Sequence, residues 1–233
     1  MNKRQGSVSD GLRALATWSG GKDSCYAFYL SKHRGVRVAG LLNAVVKDRG
    51  ISAFQGVPRG IVRLQARLVG LPLYSYELSQ PENPVLCMEE SARALDRIRK
   101  RVNFNALISG HNNPSDIQRT HLIELCHPRE LALLEPHYGC DTRKELEGFL
   151  KAGFRAVIVK IKKNNINPAW LGRPLDKKFI DYLALKKTRN FCGDDEYQSL
   201  VLDGPIFARP IELVRVNLAE DAQSYRLNIQ IYR

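Results

Sequence analysis

Six consecutive residues, Ser19-Gly20-Gly21-Lys22-Asp23-Ser24, combine the groups that hold phosphate. Two adjacent glycines let the backbone approach phosphate oxygens closely and point successive N–H groups at them. Lys22 adds a full positive charge, and the hydroxyls of Ser19 and Ser24 can donate further hydrogen bonds. Asp23 can hold the loop's own N–H groups or help position a metal. The spacing fits neither G-x-x-x-x-G-K-[ST] nor G-x-G-x-x-G, so it supports neither a Walker-type nor a dinucleotide reading.

Such a loop works only between a strand and a helix, where open α/β sheets bind ligands. The flanking residues supply both. Residues 12–18 read as a buried strand, and from Lys22 to about Lys32 the spacing predicts a helix with Cys25, Phe28 and Tyr29 on one apolar side. Residues 36–46 and 71–78 are further strands. Between them a helix runs to about Gly70, with Pro58 in its first turn. An amphipathic helix then ends near Val102, and strand 105–110 follows. A helix over 115–126, a short strand near 131–134, a helix capped by Thr142 and a strand over 155–161 complete the succession. Alternating strands and helices imply an α/β fold: a doubly wound, mostly parallel sheet covered on both faces. After about Phe191 the pattern changes to period two. Residues 211–216 and 225–232 read as an antiparallel hairpin around a turn at 217–224, at the sheet edge or in a small α+β lobe. The expected division is residues 1–136 and 137–233.

The 233 residues carry a formal charge of +12, which raises the odds of a polyanionic partner. The densest basic run, Arg97 to Arg101, reads first as the solvated face of a helix, with RNA contact as the alternative. No stretch approaches the length of a membrane span, and the polar first residues carry no apolar leader region, so a soluble cytoplasmic protein is expected. Five scattered cysteines form no C-x-x-C pair. That argues against a zinc ribbon or an iron–sulfur cluster, and no protein-held metal site is expected.

The S-G-G-K-D-S run resembles the pyrophosphate loop of the N-type ATP pyrophosphatases, the PP-loop enzymes with an adenine nucleotide alpha hydrolase-like fold. Four more segments resemble the diphthine–ammonia ligase family within them. Ser115-Asp116-Ile117-Gln118-Arg119 is similar to S-[DE]-Y-Q-R, and residues 152–159 to the family's small-residue turn and apolar strand. Trp170-Leu-Gly-Arg-Pro-Leu-Asp176 is close to W-L-G-R-x-L-D. Cys192-Gly-Asp-Asp-Glu-Tyr-Gln-Ser with Leu202-Asp-Gly-Pro-Ile-Phe207 is similar to C-G-E-G-G-E-Y-E-T and L-D-x-P-L-F. The acidic turn is one residue shorter than the family's. Glu196 matches the second glutamate through Tyr197, and Asp194 stands in for the first. Together the resemblance runs from about Leu12 to Ile211.

The resemblance implies an ATP-dependent carboxylate–ammonia ligase that adenylates a carboxylate, transfers ammonia and releases AMP and pyrophosphate. By resemblance the acceptor is the diphthine side chain of a translation elongation factor. ATP with Mg2+ would lie on Ser19–Ser24, near Leu42 and Gly110. Lys22, Asp23, Arg119, Asp194 and Glu196 are the candidate catalytic residues. Asp116, Gln118, Arg119, Trp170, Gly172, Arg173, Glu196 and Tyr197 are the candidates for binding substrate. The alternatives are a tRNA-modifying PP-loop ligase, supported by charge and by Gly110-His111-Asn112, and a related PP-loop ATP-binding protein with a different small-molecule substrate. A nucleotide sensor of the universal stress type is a further reading, which the intact loop disfavours.

Overall fold

The computed structural model describes residues 11–112, 117–188, 191, 193 and 196–233, with 117 and 118 described as helix backbone. Five parallel strands form the first sheet: β1 (Arg13–Thr17), β2 (Arg37–Val46), β4 (Leu73–Leu78), β5 (Ala106–Ile108) and β6 (Ala132–Leu134). A two-residue strand, β3 (Ile51–Ser52), pairs antiparallel with the end of β2. Val45 and Val46 pair with β3 on one edge and with β4 on the other, so β3 lies on the same side of β2 as β1. It continues that edge past the point where β1 stops, and the turn after it overhangs the loop that follows β1.

The parallel strands stand in the order β4-β2-β1-β5-β6. The chain leaves β1 toward β2 and β4, then crosses back to β5 and β6. The strand order therefore reverses between β1 and β5, the place where doubly wound sheets open a ligand crevice at their carboxyl ends. Helices cover both faces. α1 (Lys22–His33) and α2 (Arg59–Val69) pack with Ala14, Ala16, Trp18 and Leu41. α3 (Pro84–Arg99) and α4 (Ile117–Cys126) pack with Leu15, Leu42 and Leu107 on the other. The alternation of Ala14, Ala16 and Trp18 against Leu15 is the period of two that a strand buried on both faces requires.

The second sheet is antiparallel, in the order β8-β7-β10-β9, from β7 (Arg155–Lys162), β8 (Tyr197–Asp203), β9 (Leu213–Glu220) and β10 (Ser224–Tyr232). Two helices, α5 (Thr142–Lys151) and α6 (Lys177–Leu185), accompany it. Its apolar face joins α1 and α2 in one continuous core through Phe149, Phe154, Phe179 and Leu200.

Several expectations shift here. Strand 155–161 does not extend the parallel sheet; it is central in the antiparallel one, because β8 returns beside it and β10 pairs with its far end. Neither β8 nor α6 was expected as an element. The tail hairpin is real, but β9 runs to Glu220, and Asp221 closes a tighter turn by accepting from the N–H groups of Gln223 and Ser224. Asp141, not Thr142, caps α5: its carboxylate accepts from the N–H groups of Arg143 and Lys144. Pro58 is the residue before α2 rather than inside its first turn, and Gly70 ends that helix at φ 75°.

Candidate functional site

The Ser19–Ser24 segment spans the gap between β1 and α1, at the reversal of strand order. Gly20 takes φ +88°, a conformation that glycine adopts without strain. Ser24 Oγ donates to the Gly21 carbonyl at 3.1 Å and lies 3.3 Å from Ser19 Oγ, which accepts from the Gly21 N–H at 3.3 Å. The two serines thus shape the loop from within.

Three neighbours hold it from outside. Fully buried Gln65, on α2, donates from Nε2 to the carbonyls of Gly20 (3.1 Å) and Val201 (2.7 Å) and accepts from Trp18 Nε1 at 3.1 Å. Asn43, on β2, donates to the Trp18 carbonyl at 2.8 Å and to Ser52 Oγ at 3.1 Å, and Ser52 Oγ donates to the Ser19 carbonyl at 3.3 Å. The third support is Gly110, just past β5. A Cβ there would lie 2.5 Å from the carbonyl carbon of Asp23 and 2.7 Å from the Ser24 nitrogen, so backbone lies directly against backbone.

The second sheet completes the loop. Val201 N–H donates to the Gly20 carbonyl at 3.0 Å, and the Lys22 N–H donates to Ser199 Oγ at 3.3 Å. Lys22 is only 4% exposed. Its ammonium lies 2.9 Å from Asp23 Oδ2 and 5.3 Å from the centre of the Tyr197 ring. An aromatic face favours a cation most where water is scarce. The Tyr197 hydroxyl donates to the Phe191 carbonyl at 2.5 Å, which fixes the ring.

A buried polar cluster stands beside this pair. Glu145 of α5 accepts a hydrogen bond from Asn112 Nδ2, and His137 Nδ1 lies against its other carboxylate oxygen. The other end of the Asn112 amide accepts from the Gly139 N–H at 2.8 Å. Burial pushes the Asp23 carboxyl above its ordinary value; Lys22 opposes that rise, and the charge of Glu145 adds to it. Burial likewise raises the Cys25 thiol, so that residue is a core thiol rather than a nucleophile.

Residues 12–133 match the diphthamide synthase N-terminal domain, and residues 141–232 match the diphthamide synthase C-terminal domain. The chain belongs to the diphthamide synthase family. Among curated relatives it is similar to the diphthine–ammonia ligase of Schizosaccharomyces pombe, 28% identical over 225 residues. That match covers 90% of this chain but only 37% of the relative. The diphthine–ammonia ligase of Bos taurus is 26% identical over 219 residues, covering 86% of this chain and 82% of that protein. A solved chain from Methanocaldococcus jannaschii, described as a predicted subunit of tRNA methyltransferase, gives a TM-score of 0.45 at 13% identity. It covers 83% of this chain and 97% of that one.

The candidate residues named from the sequence fall into distinct positions. Ser19, Gly20, Gly21, Lys22, Asp23, Ser24 and Gly110 come together at the sheet's reversal point. Tyr197 joins them from β8. Glu196 precedes it, with a carboxylate oxygen, Oε2, that is buried and has no hydrogen-bond partner among the described residues. Leu42, placed near ATP in the sequence, has its side chain in the core. It is 7% exposed and packs with Leu15, Leu95 and Leu107, because its position on β2 faces α3. Arg119 makes a bidentate bond to Glu135, with Nε and Nη2 at 2.8–3.1 Å, and its Cζ lies 4.0 Å from the centre of the Tyr138 ring. Gln118 lies in α4; Asp116 and Asp194 lie outside the described residues.

The W-L-G-R-P-L-D segment builds the second sheet. Residues 172–175 run along β7, with Ile158 N–H donating to the Arg173 carbonyl and Leu175 N–H to the Ala156 carbonyl. Asp176 then caps α6. Arg173 lies over the Trp170 ring, 5.7 Å from its centre. Trp170 meets Phe179 at 5.0 Å, Phe179 meets Tyr197 at 4.9 Å, and Tyr197 meets Lys22. The motif therefore reaches the phosphate-type loop through a chain of rings rather than by direct contact. Gln65, Asn43, Ser199 and Glu145 were not foreseen. The polar Gln65 and Glu145 on otherwise amphipathic helices, and Asn43 within an apolar strand, were the available signals.

Proposed function

We propose that the chain is an ATP-dependent amide synthetase, which adenylates a carboxylate and passes ammonia to the activated acyl group. One observation carries this reading. A glycine loop with a buried lysine lies at the reversal of strand order, in a chain of the diphthamide synthase family, and β8 brings Tyr197 and Ser199 against it. In this reading residues 1–136 hold ATP and residues 137–233 present the acceptor. The N–H groups of the loop and the α1 N-terminus bind phosphate oxygens. Lys22 stabilises charge on the departing pyrophosphate. The carboxylate oxygen bonds to the α-phosphorus as pyrophosphate leaves, and ammonia then displaces AMP. Arg119 would serve the acceptor only by exchanging Glu135 for it.

Among the described residues no three His, Cys, Asp or Glu side chains gather as a metal cage. Magnesium would enter on the phosphates, neutralising their charge, with Asp23 as the loop's own carboxylate. The acceptor is a diphthine side chain on a translation elongation factor, by analogy with the named relatives, and the reaction belongs in the cytoplasm. No helix among the described residues is long and apolar enough to cross a membrane.

The test incubates the full chain with ATP, magnesium and isotopically labelled ammonium, with and without a diphthine-bearing factor. AMP and pyrophosphate formed only when acceptor and ammonium are both present, with label in the acceptor, support the reading. ADP formation, or no turnover with any acceptor, sinks it.

A further inference from the structure

Gln55 lies on the turn after β3, the turn that overhangs the loop. Its Nε2 donates to Ser19 Oγ across a long 3.4 Å. A Cβ added to Gly21 would come 2.5 Å from that same nitrogen. The amide thus rests on the bare side of Gly21, the surface that a missing side chain opens to close approach.

The turn itself is firmly built. Ser52 N–H donates to the Val57 carbonyl at 2.8 Å, Gly56 N–H to the Ser52 carbonyl at 2.9 Å, and Ala53 N–H to the Ala44 carbonyl at 2.9 Å. The side chain it presents is weakly held by contrast. Gln55 Oε1 is buried and has no hydrogen-bond partner among the described residues. With no bond to that oxygen, nothing on the amide's far end fixes its rotation, and a phosphate would engage only the N–H2 end. Phosphate oxygens only accept, so an amide N–H2 with one weak bond is a suitable donor to them, whereas a carboxylate there would repel them.

We propose that Gln55 is a phosphate-binding residue, donating from Nε2 to the pyrophosphate portion of ATP opposite the Gly21 backbone. The proposal rests on the ATP reading above and adds a residue outside the S-G-G-K-D-S run.

The experiment measures binding of ATP, pyrophosphate and AMP to the full chain by titration calorimetry, for the unaltered protein, Gln55→Ala and Gln55→Glu. Loss of one hydrogen bond to a charged group predicts about tenfold weaker ATP and pyrophosphate binding for Gln55→Ala. AMP affinity should stay within about twofold, since AMP lacks the pyrophosphate. Gln55→Glu, of nearly the same shape, should weaken ATP and pyrophosphate further, and it carries the test if the alanine variant unfolds. Unchanged ATP affinity in Gln55→Glu, or an equal loss for AMP, overturns the proposal. If the unaltered chain binds neither ATP nor pyrophosphate, the ATP reading itself fails, a result distinct from variants that bind as well as the parent.

Discussion

Gly110, at the end of β5, lies so near the backbone of Asp23 that a methyl group on its α-carbon would come 2.5 Å from the Asp23 carbonyl carbon. Two strands that are neighbours only in space thereby set the height of the phosphate-type loop. Backbone cannot yield as a flexible side chain can. Gly110→Ala should displace the loop, lowering stability by about 1–3 kcal/mol and ATP-dependent turnover more than tenfold. Urea unfolding and AMP release check the two effects. Turnover equal to that of the parent would show that β5 does not set the loop.

Lys22 is held between the Asp23 carboxylate and the Tyr197 ring rather than reaching into water. A charge fixed in a dry site needs no reorganisation when a phosphate develops negative charge. Lys22→Ala should reduce AMP formation by about 10²–10³-fold, with the circular dichroism of the fold retained. Unaltered turnover would remove the loop lysine from the mechanism.

Asp23 carries a carboxyl raised mainly by burial. The folded protein then holds this proton more tightly than the unfolded chain. Its stabilising contribution is present below the ordinary carboxylate value and is lost as pH rises through the raised one. Subtracting the unfolding free energy of Asp23→Asn from that of the parent should give a difference that falls with pH across this window. Urea melts at a series of pH values read the slope, and a flat or rising difference would contradict it.

Gln65 joins three backbone and side-chain partners from a fully buried position. Replacing it by alanine would leave a cavity and strip the Val201 carbonyl and Trp18 Nε1 of that bond. The expected loss is about 2–4 kcal/mol, read by urea unfolding. Because Gln65 braces the direct Val201–Gly20 bond by donating to both carbonyls, ATP-dependent turnover should fall as well. A loss of stability without a loss of turnover would make it a core residue only.

Much of this architecture was legible in local sequence. The loop, the strands β1, β2, β4 and β5 and the helices α1 to α3 announce themselves through glycine pairs, apolar runs and helical spacing, all properties of neighbours along the chain. The helix caps were read less well. Thr142 and Asp141 are both good caps, and only the backbone geometry selected Asp141. β8 was not legible because its first residues, Tyr197-Gln198-Ser199, directly follow the acidic run Asp194-Asp195-Glu196 and read as part of that polar segment.

What sequence alone determined about this protein is therefore the phosphate-type loop, its strand–helix setting and the order of the motifs. Tertiary structure decided which of them meet. It joined Gly110 to Asp23, and Ser199 and Val201 to the loop. It turned Leu42 into the core, closed Arg119 on Glu135, and linked Trp170 to Lys22 through Phe179 and Tyr197. The reason is physical. Local propensity acts over a few residues, whereas these contacts join residues 9 or more positions apart, and 177 for Lys22 and Ser199. The longest form only when the parallel sheet reverses its strand order and the antiparallel sheet packs across α1 and α2.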